Sequence, residues 1–357
     1  MRNRHLATTA ATLTVLAVSL TACGGTGASA SGSAPSGGSA PSAGNESVTV
    51  YSADGLAAWF TPQFDAFTKQ TGIKVNYVEA GSSEVISRAE KERSNPQADV
   101  LVTLPPFIQR ADKDGMLGQL GVDVSKVDPA DKATDGTWTS LVNNFSCFIV
   151  KNGTSPAPTT WNDLLAASYK GKLQYSTPGQ AGDGTAVLIL LEHELGKQGA
   201  LDYLRKLQAN NVGPSSSTGK LQPKVSSGSL LVANGDVQMN LSSIQTDKSD
   251  FSVAFPADGT KSPETIALPY AMGLTSNAPH AEAGKKLMTY LLSAPAQSQI
   301  STQALGIPVR TDVTPTDASF AQVKKAMTGV SVYHPDWDSV LTGLDAEVAA
   351  YTAAVGA

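Results

Sequence analysis

Four loops of this chain concentrate Ser, Thr and Gly: Ser52–Gly55, Gly81–Ser83, Ser176–Thr185 and Pro214–Gly219. Each lies near the end of an apolar, strand-like run or the start of a helical one. Hydroxyls and unpaired backbone N–H groups at such places are neutral donors. A helix N-terminus adds partial positive charge, so the combination holds anions. In open α/β sheets ligands bind outside the carboxyl ends of the strands, where these loops fall. The third loop reads Tyr175-Ser176-Thr177-Pro178-Gly179-Gln180-Ala181-Gly182-Asp183-Gly184-Thr185, and its glycines let backbone N–H groups approach a ligand closely. Ser and Gly also make ordinary turns and N-caps. It is their recurrence in four loops that points to a ligand.

The acids fit a second kind of contact. Asp54, Asp183 and Asp236 each adjoin a glycine at the expected end of a strand. As structure they cap helices or close turns. As function, any of them could pair with a ligand ammonium, because a buried charge needs a partner. Tyr270 follows Pro269 in an apolar run and could offer its ring face or hydroxyl to a cation.

Other chemistries lack their residues. Gly213–Lys220 resembles a phosphate-binding P-loop, but five residues separate its glycines instead of four, and Leu221 stands where Ser or Thr should follow the Lys. His193-Glu194-Leu195-Gly196-Lys197 lacks the second His of a zinc helix. No G-x-S-x-G nucleophile elbow occurs. His193, His280 and His334 are scattered and read as surface or helix-face residues, and Trp59, Trp138, Trp161 and Trp337 read as core. Cys147, in Phe145–Val150, reads as a small buried hydrophobe. No metal and no cofactor are expected. The 357 residues carry 26 Lys plus Arg against 31 Asp plus Glu, a net charge of −5. With no basic run, that argues against nucleic acid, whose affinity comes from neutralised phosphates.

The elements that must position these loops read as two α/β blocks. In the first, strands at Val48–Tyr51, Ile73–Val78 and Asp99–Thr103 alternate with helices carrying Phe60, Phe64 and Phe67 and spanning Glu84–Arg93. In the second, strands are expected near Phe145–Val150, Leu173–Ser176, Leu230–Ala233 and Val237–Leu241. Its helices are expected near Trp161–Ala167, Thr185–Leu195 and Ala200–Ala209. Such alternation predicts mostly parallel sheets with helices on both faces. Four helical segments end the chain, near His280–Leu292, Ala294–Gln303, Phe320–Met327 and Ser339–Ala354.

The N-terminal segment is of another kind. Arg2 and Arg4 precede an apolar stretch from Leu6 to Ala22, which reads as a secretory signal peptide over residues 1–22. Leu20-Thr21-Ala22-Cys23-Gly24 is similar to the lipobox of bacterial lipoproteins. That resemblance implies cleavage before Cys23 and a lipid on its thiol, anchoring the protein to the outer face of the cytoplasmic membrane. Loss of two Arg and no acid would take the net charge from −5 to −7. Residues 24–47 hold 7 Gly, 7 Ser, 5 Ala and 2 Pro, too little apolar surface to fold. As a flexible leash this segment would span about 27 Å.

A family resemblance gathers these features. Val50-Tyr51-Ser52-Ala53-Asp54-Gly55, Gln63–Lys69, Asn95–Thr103, Pro105–Arg110 and Leu173–Ala181 resemble the substrate-binding proteins of 2-aminoethylphosphonate ABC importers. So do Leu207–Ser215, Ser217–Lys220, Val232-Ala233-Asn234-Gly235-Asp236, Gln238-Met239-Asn240 and Pro308-Val309-Arg310. The resemblance covers nearly all of residues 48–357. It implies an α/β fold of the type II periplasmic binding protein class, two lobes joined by two crossover segments with the ligand cleft between them. Lobe 1 would comprise residues 48–142 plus 273–357 and lobe 2 residues 143–272, with crossings near Val142–Asn144 and Ala271–Gly273. Ferric receptors of the same superfamily carry adjacent tyrosines after the Asn-Gly-acid segment. Here Ser242-Ser243 occupy that region, and no His lies in Ser52–Gly55. The segment after Gly55 is shorter than in many relatives.

The expected function is capture of 2-aminoethylphosphonate by cleft closure and delivery to a membrane permease driven by an ATPase, with no chemistry on the ligand. Ser52, Ser82, Ser83 and Thr103 from lobe 1, and Thr177, Gln180, Ala181, Gly182, Ser217 and Thr218 from lobe 2, are the expected phosphonate-side contacts. Asp54, Asp183 or Asp236, with Tyr270, would meet the ammonium. The protein is expected to act as a monomer. The alternatives are a receptor for another small anion (another phosphonate, an organophosphate ester or ferric ion), a secreted hydrolase on the same scaffold, and a surface-display module.

Overall fold

The computed structural model describes residues 46–356. The expected signal segment, the anchor Cys23 and the leash up to residue 45 lie outside the described residues. Two sheets organise the body. Strands β1 (Ser47–Ala53), β2 (Lys74–Ala80), β3 (Val100–Thr103), β4 (Trp138–Asn143), β10 (Tyr270–Leu274) and β11 (Ile307–Pro308) form a six-stranded sheet in the order β11-β4-β10-β3-β1-β2. Strands β5 (Ser146–Lys151), β6 (Leu173–Gln174), β7 (Val232–Asp236) and β8 (Phe251–Ala254) form a second sheet, ordered β6-β7-β5-β8. The chain leaves the first sheet between β4 and β5. It returns after β9 (Glu264–Ile266) to enter β10.

In the first sheet β1 runs parallel to both neighbours, with Val50 opposite Tyr77 and Val100. Helix α1 (Ala57–Thr71) lays Trp59, Phe60, Phe64 and Phe67 on this sheet. Phe60 is fully buried and stacks on Trp59 and Phe64, with ring centroids 5.3 and 4.8 Å away. Helices α2 (Ser82–Lys91) and α3 (Phe107–Lys113) bring Val85, Ile86, Phe107 and Ile108 into a separate apolar cluster with Tyr51 and Leu101. Burying both faces is what its parallel strands β1, β2 and β3 demand. Helices α7 (Ala281–Leu291), α8 (Ala294–Gln297) and α9 (Ile300–Ala304) then contribute Leu287, Leu291, Ala296 and Ile300 to the main core.

Both sheets differ from the mostly parallel expectation: in the first, β10 runs antiparallel to β3 and β4, and β11 antiparallel to β4. The second sheet departs further. Strand β5 arrives as the crossover and pairs antiparallel with β7 and β8, and only β6–β7 is parallel. Residues 237–241 are helix where alternation reads as strand. Helix α6 (Val237–Thr246) begins there because the Asp236 carboxylate caps it, accepting from the Met239 N–H at 2.7 Å. The expected helix at Trp161–Ala167 is two short 3-10 turns, Asp163–Leu165 and Ala167–Tyr169. Helix α4 (Gly182–Leu207) joins the two expected helices across a break at Gly196, whose φ of 73° is left-handed. Helix α5 (Gln222–Ser226) is a short turn beside β5.

A further difference concerns the C-terminal part of lobe 1 as expected, residues 273–357. Helix α10 (Ala318–Ala326) packs against both α9 and α6. Strand β12 (Ser331–Tyr333) pairs with β9, and α11 (Trp337–Val355) lies along α4. Tyr351 of α11 reaches Tyr175, hydroxyl to hydroxyl at 3.0 Å. The last helix therefore lies mainly on the lobe of the second sheet, and it also touches α3 of the first, where Arg110 pairs with Asp345. Among the described residues no helix is long and apolar enough to cross a membrane. Phe60→Ala should destabilise the protein by about 3–5 kcal/mol, the cost of a large buried cavity. Urea unfolding followed by tryptophan fluorescence measures it.

Candidate ligand site between the lobes

The expected loops meet where the two sheets face each other. From the first lobe come the turn after β1, the start of α2 and the end of β3. From the second come the loop before α4, the 214–219 loop and the end of β7. Gly55 makes the first turn at φ 120°, and a Cβ there would stand 2.2 Å from the Tyr270 hydroxyl. Only glycine lets the β1 turn approach the crossover so closely. At the start of α4 the Gly182 N–H donates to Ser82 Oγ at 3.2 Å, so the N-terminal ends of α2 and α4 face one another. The Ser83 N–H donates to Gln180 O at 3.2 Å.

Several hydroxyls are already committed within their own lobe. Ser52 Oγ donates to Ala53 O at 2.8 Å and Thr103 Oγ1 to Ser82 O at 3.0 Å. Thr177 Oγ1 accepts from the Ser215 N–H at 3.0 Å, and Thr177 O accepts from the Gln180 and Ala181 N–H groups. Thr218 Oγ1 donates to Ser176 Oγ at 3.1 Å. These four hydroxyls hold the loops in place. Ser82, Ser216, Ser217, the N–H groups of Ser83, Gly182 and Gly219, and the carbonyl of Gln180 are among the groups that reach across.

The three acids come together with Tyr270. Asp54 Oδ2 accepts from Ser217 Oγ at 2.6 Å and from the Gly219 N–H at 2.8 Å. The Tyr270 hydroxyl lies 2.9 Å from Asp54 O and 3.4 Å from Asp236 Oδ2. Asp183 is 3% exposed, and among the described residues its Oδ1 has no hydrogen-bond partner. None of the three acids forms an ion pair with a described Lys, Arg or His. Burial pushes the Asp183 carboxyl well up, and the charge of Asp236 adds to it. Burial raises Asp236 to about 6 against the pull of the Met239 N–H. Asp54 is raised by burial and pulled back by Ser217 and Gly219. Lys220 exerts only a weaker, longer-range pull on Asp54. The arrangement can accept a small cation, which would relieve three mutually repelling carboxyls.

A cavity of about 740 Å³ opens beside Asp54, with Glu79, Glu84, Lys220, Ser242 and Ser243 among its walls. The sequence reading did not single out Glu79, Glu84 or Ser216 as site residues. Glu84 was legible as the third residue of the helix after Gly81, where a carboxylate folds back onto the cap; its Oε2 accepts the Gly81 N–H at 3.0 Å. Asn234 was another omission. It accepts the Ser176 N–H through Oδ1 at 2.7 Å and donates to Ser176 Oγ at 3.0 Å, fixing the loop before α4. Cys147 is buried in β5, and burial raises its thiol.

Residues 53–298 match the profile of the bacterial extracellular solute-binding proteins. A protein of Salmonella typhimurium named "Putative 2-aminoethylphosphonate-binding periplasmic protein" is 47% identical over 307 residues, which span 84% of this chain and 90% of the relative. The solved structure of the periplasmic binding protein AfuA from Actinobacillus pleuropneumoniae, with fructose-6-phosphate bound, superposes with a TM-score of 0.72 at 16% identity, covering 87% of this chain and 99% of that one. The ferric binding protein from Campylobacter jejuni gives 0.70 at 20% identity, over 86% and 99%. At such identities the likeness to these two is one of fold, the two-lobed type II periplasmic binding fold. With the profile spanning both lobes and the Salmonella relative spanning most of the chain, this protein belongs to the bacterial extracellular solute-binding protein family.

Proposed function

We propose that the chain is the receptor of an ABC importer for 2-aminoethylphosphonate, captured between the lobes and passed to a permease with its ATPase. The carrying observation is the buried trio Asp54, Asp183 and Asp236, which has no basic partner among the described residues and includes a carboxyl oxygen of Asp183 with no donor. A ligand that is only an anion would add charge of the same sign. A ligand with an ammonium at one end compensates it. The phosphonate end then meets neutral donors at the facing starts of α2 and α4, where helix N-termini favour an anion. The 47% identity to the Salmonella relative supports the same ligand.

Asp183, whose Oδ1 has no donor, is the first proposed ammonium acceptor, with Asp236 beside it as the second carboxyl; Asp54 Oδ2 is held by two donors from the opposite lobe, Ser217 and Gly219. Asp183 is 3% exposed and its Oδ1 is buried with the lobes together, so in this reading the ammonium enters while they are apart and is enclosed as they close. Ser242 and Ser243, at the cavity wall where ferric receptors would need tyrosines, offer neutral hydroxyls unsuited to a hard trivalent ion. The proposed receptor works as a monomer, tethered outside the cytoplasmic membrane through a lipid on Cys23.

Calorimetric titration with 2-aminoethylphosphonate, inorganic phosphate and ethanolamine tests the paired-charge reading. Only the first should bind tightly, and equal affinity for phosphate would defeat it. Asp183→Asn should weaken 2-aminoethylphosphonate by about 2–4 kcal/mol, roughly 30- to 1000-fold, as expected for removing one side of a buried charge pair. The pH dependence has a definite sign. An ammonium pairs with an ionised carboxyl, and burial pushes the Asp236 carboxyl up to about 6. Affinity should therefore fall as pH drops through that value, by about tenfold per unit for each competing proton. Titrations between pH 5 and pH 8 on the native chain and on Asp236→Asn, which should flatten the fall, measure it.

A further inference from the structure

The contact between the lobes includes bonds made by the protein to itself. The 214–219 loop is first tied to its own sheet. The Thr177 N–H donates to Ser215 O at 2.8 Å, and the Ser215 N–H returns to Thr177 Oγ1 at 3.0 Å. The outer edge of the loop then crosses to the other lobe. Ser216 Oγ donates to Glu84 Oε1 at 2.8 Å. Ser217 Oγ and the Gly219 N–H both donate to Asp54 Oδ2, at 2.6 and 2.8 Å. Bonds from neutral donors to carboxylates are about twice as strong as neutral pairs. The Glu84 carboxyl is accordingly held low by the Gly81 N–H and the Ser216 hydroxyl.

The approach is as close as backbone allows. A Cβ on Gly81 would stand 2.5 Å from Ser216 O, and one on Gly219 would stand 2.5 Å from Asp54 Oδ2. Gly81 sits at φ −67° and ψ 156°, where any residue fits. Its own backbone does not require glycine; the opposite lobe does.

We infer that residues 214–219 are a clasp that holds the lobes shut through Asp54 and Glu84 independently of any ligand, with Gly81 and Gly219 as positioning residues for closure. The inference rests on the solute-binding reading of the cleft and adds what sets its open–closed balance. A ligand shifts that balance only by its differential affinity for the closed form. The clasp fixes the starting point, and with it the apparent affinity for every ligand. Asp54 then serves closure, and ligand contact falls to the acids behind it.

Hydrogen exchange followed by mass spectrometry on the full chain without ligand tests the clasp directly. Amides of residues 81–85 and 214–221 should be protected, since the N–H groups of Ser83 and Gly219 are donated across the cleft. Gly81→Ala removes no hydrogen-bonding group, and should speed exchange in both segments by about tenfold or more while β1 and β7 keep their protection. Ser216→Ala, which removes one bond and adds no bulk, should produce a smaller rise in the same segments. With 2-aminoethylphosphonate, Gly81→Ala should raise the dissociation rate. Fast exchange in both segments of the native chain, or no change in either variant, overturns the clasp. Failure of the native chain to bind 2-aminoethylphosphonate would instead overturn the ligand, because the exchange measurement uses none.

Discussion

Negative charge buried between the lobes is the constraint on which the rest of the structure turns. Asp54, Asp183 and Asp236 come from three separate chain segments and converge around Tyr270. Carboxyls taken out of water carry a desolvation cost of several kcal/mol each unless paired, protonated or hydrogen-bonded. Two of the three have donors from backbone or hydroxyl groups: Asp54 from Ser217 and Gly219, and Asp236 from Met239. Asp183 lacks one at Oδ1. Within the trio, Asp183 Oδ1 is the buried oxygen left without a donor; Asn144 Nδ2 and Gln238 Oε1 are likewise buried without a partner among the described residues.

The fold puts donors and acids in one place because both sheets point their functional ends at the same gap. β1 and β3 run parallel and deliver Ser52–Gly55 and Thr103 together, and α2 starts beside them at Ser82. β7 delivers Asp236, and Asn234 on the same strand fixes Ser176 and hence the approach to α4. Much of the Ser and Thr content of these loops holds loop to loop: Thr177 to Ser215, Thr218 to Ser176, Thr103 to Ser82. A rigid frame of satisfied hydroxyls leaves few groups free to respond to a ligand. Those few carry selectivity, because an unmade bond to a buried charged group is costly.

Asp236 illustrates how one residue serves two levels of structure. Its carboxylate starts α6 by accepting the Met239 N–H, and that cap turns an apparent strand at residues 237–241 into helix. The same carboxylate faces Tyr270 on the returning crossover. Local capping thereby fixes the position of an acid in the cleft. The acidic net charge of −5 acquires a local meaning in this setting, since part of the excess is gathered between the lobes at Asp54, Asp183 and Asp236.

Strand–helix alternation, the Ser/Gly loops and the Asp-Gly pairs are local patterns, and they suffice for an α/β protein with polar loops at its strand ends; the cleft between two lobes is implied by the family resemblance. Most helices and strands of the first sheet follow from periodicity and from turn residues such as Gly55 and Gly72. Sequence could not decide direction in either sheet, because β5 entering the second lobe and β10 returning to the first pair antiparallel for reasons of path, not of composition. Nor could it place α11, whose partner Tyr175 lies far away in the chain. It could name three candidate acids but not rank them, since their difference lies in which donors the tertiary structure brings to each. Spacing along a chain encodes periodicity and capping. Only packing decides which buried carboxyl is left without a partner, and that depends on contacts between lobes that share no local sequence.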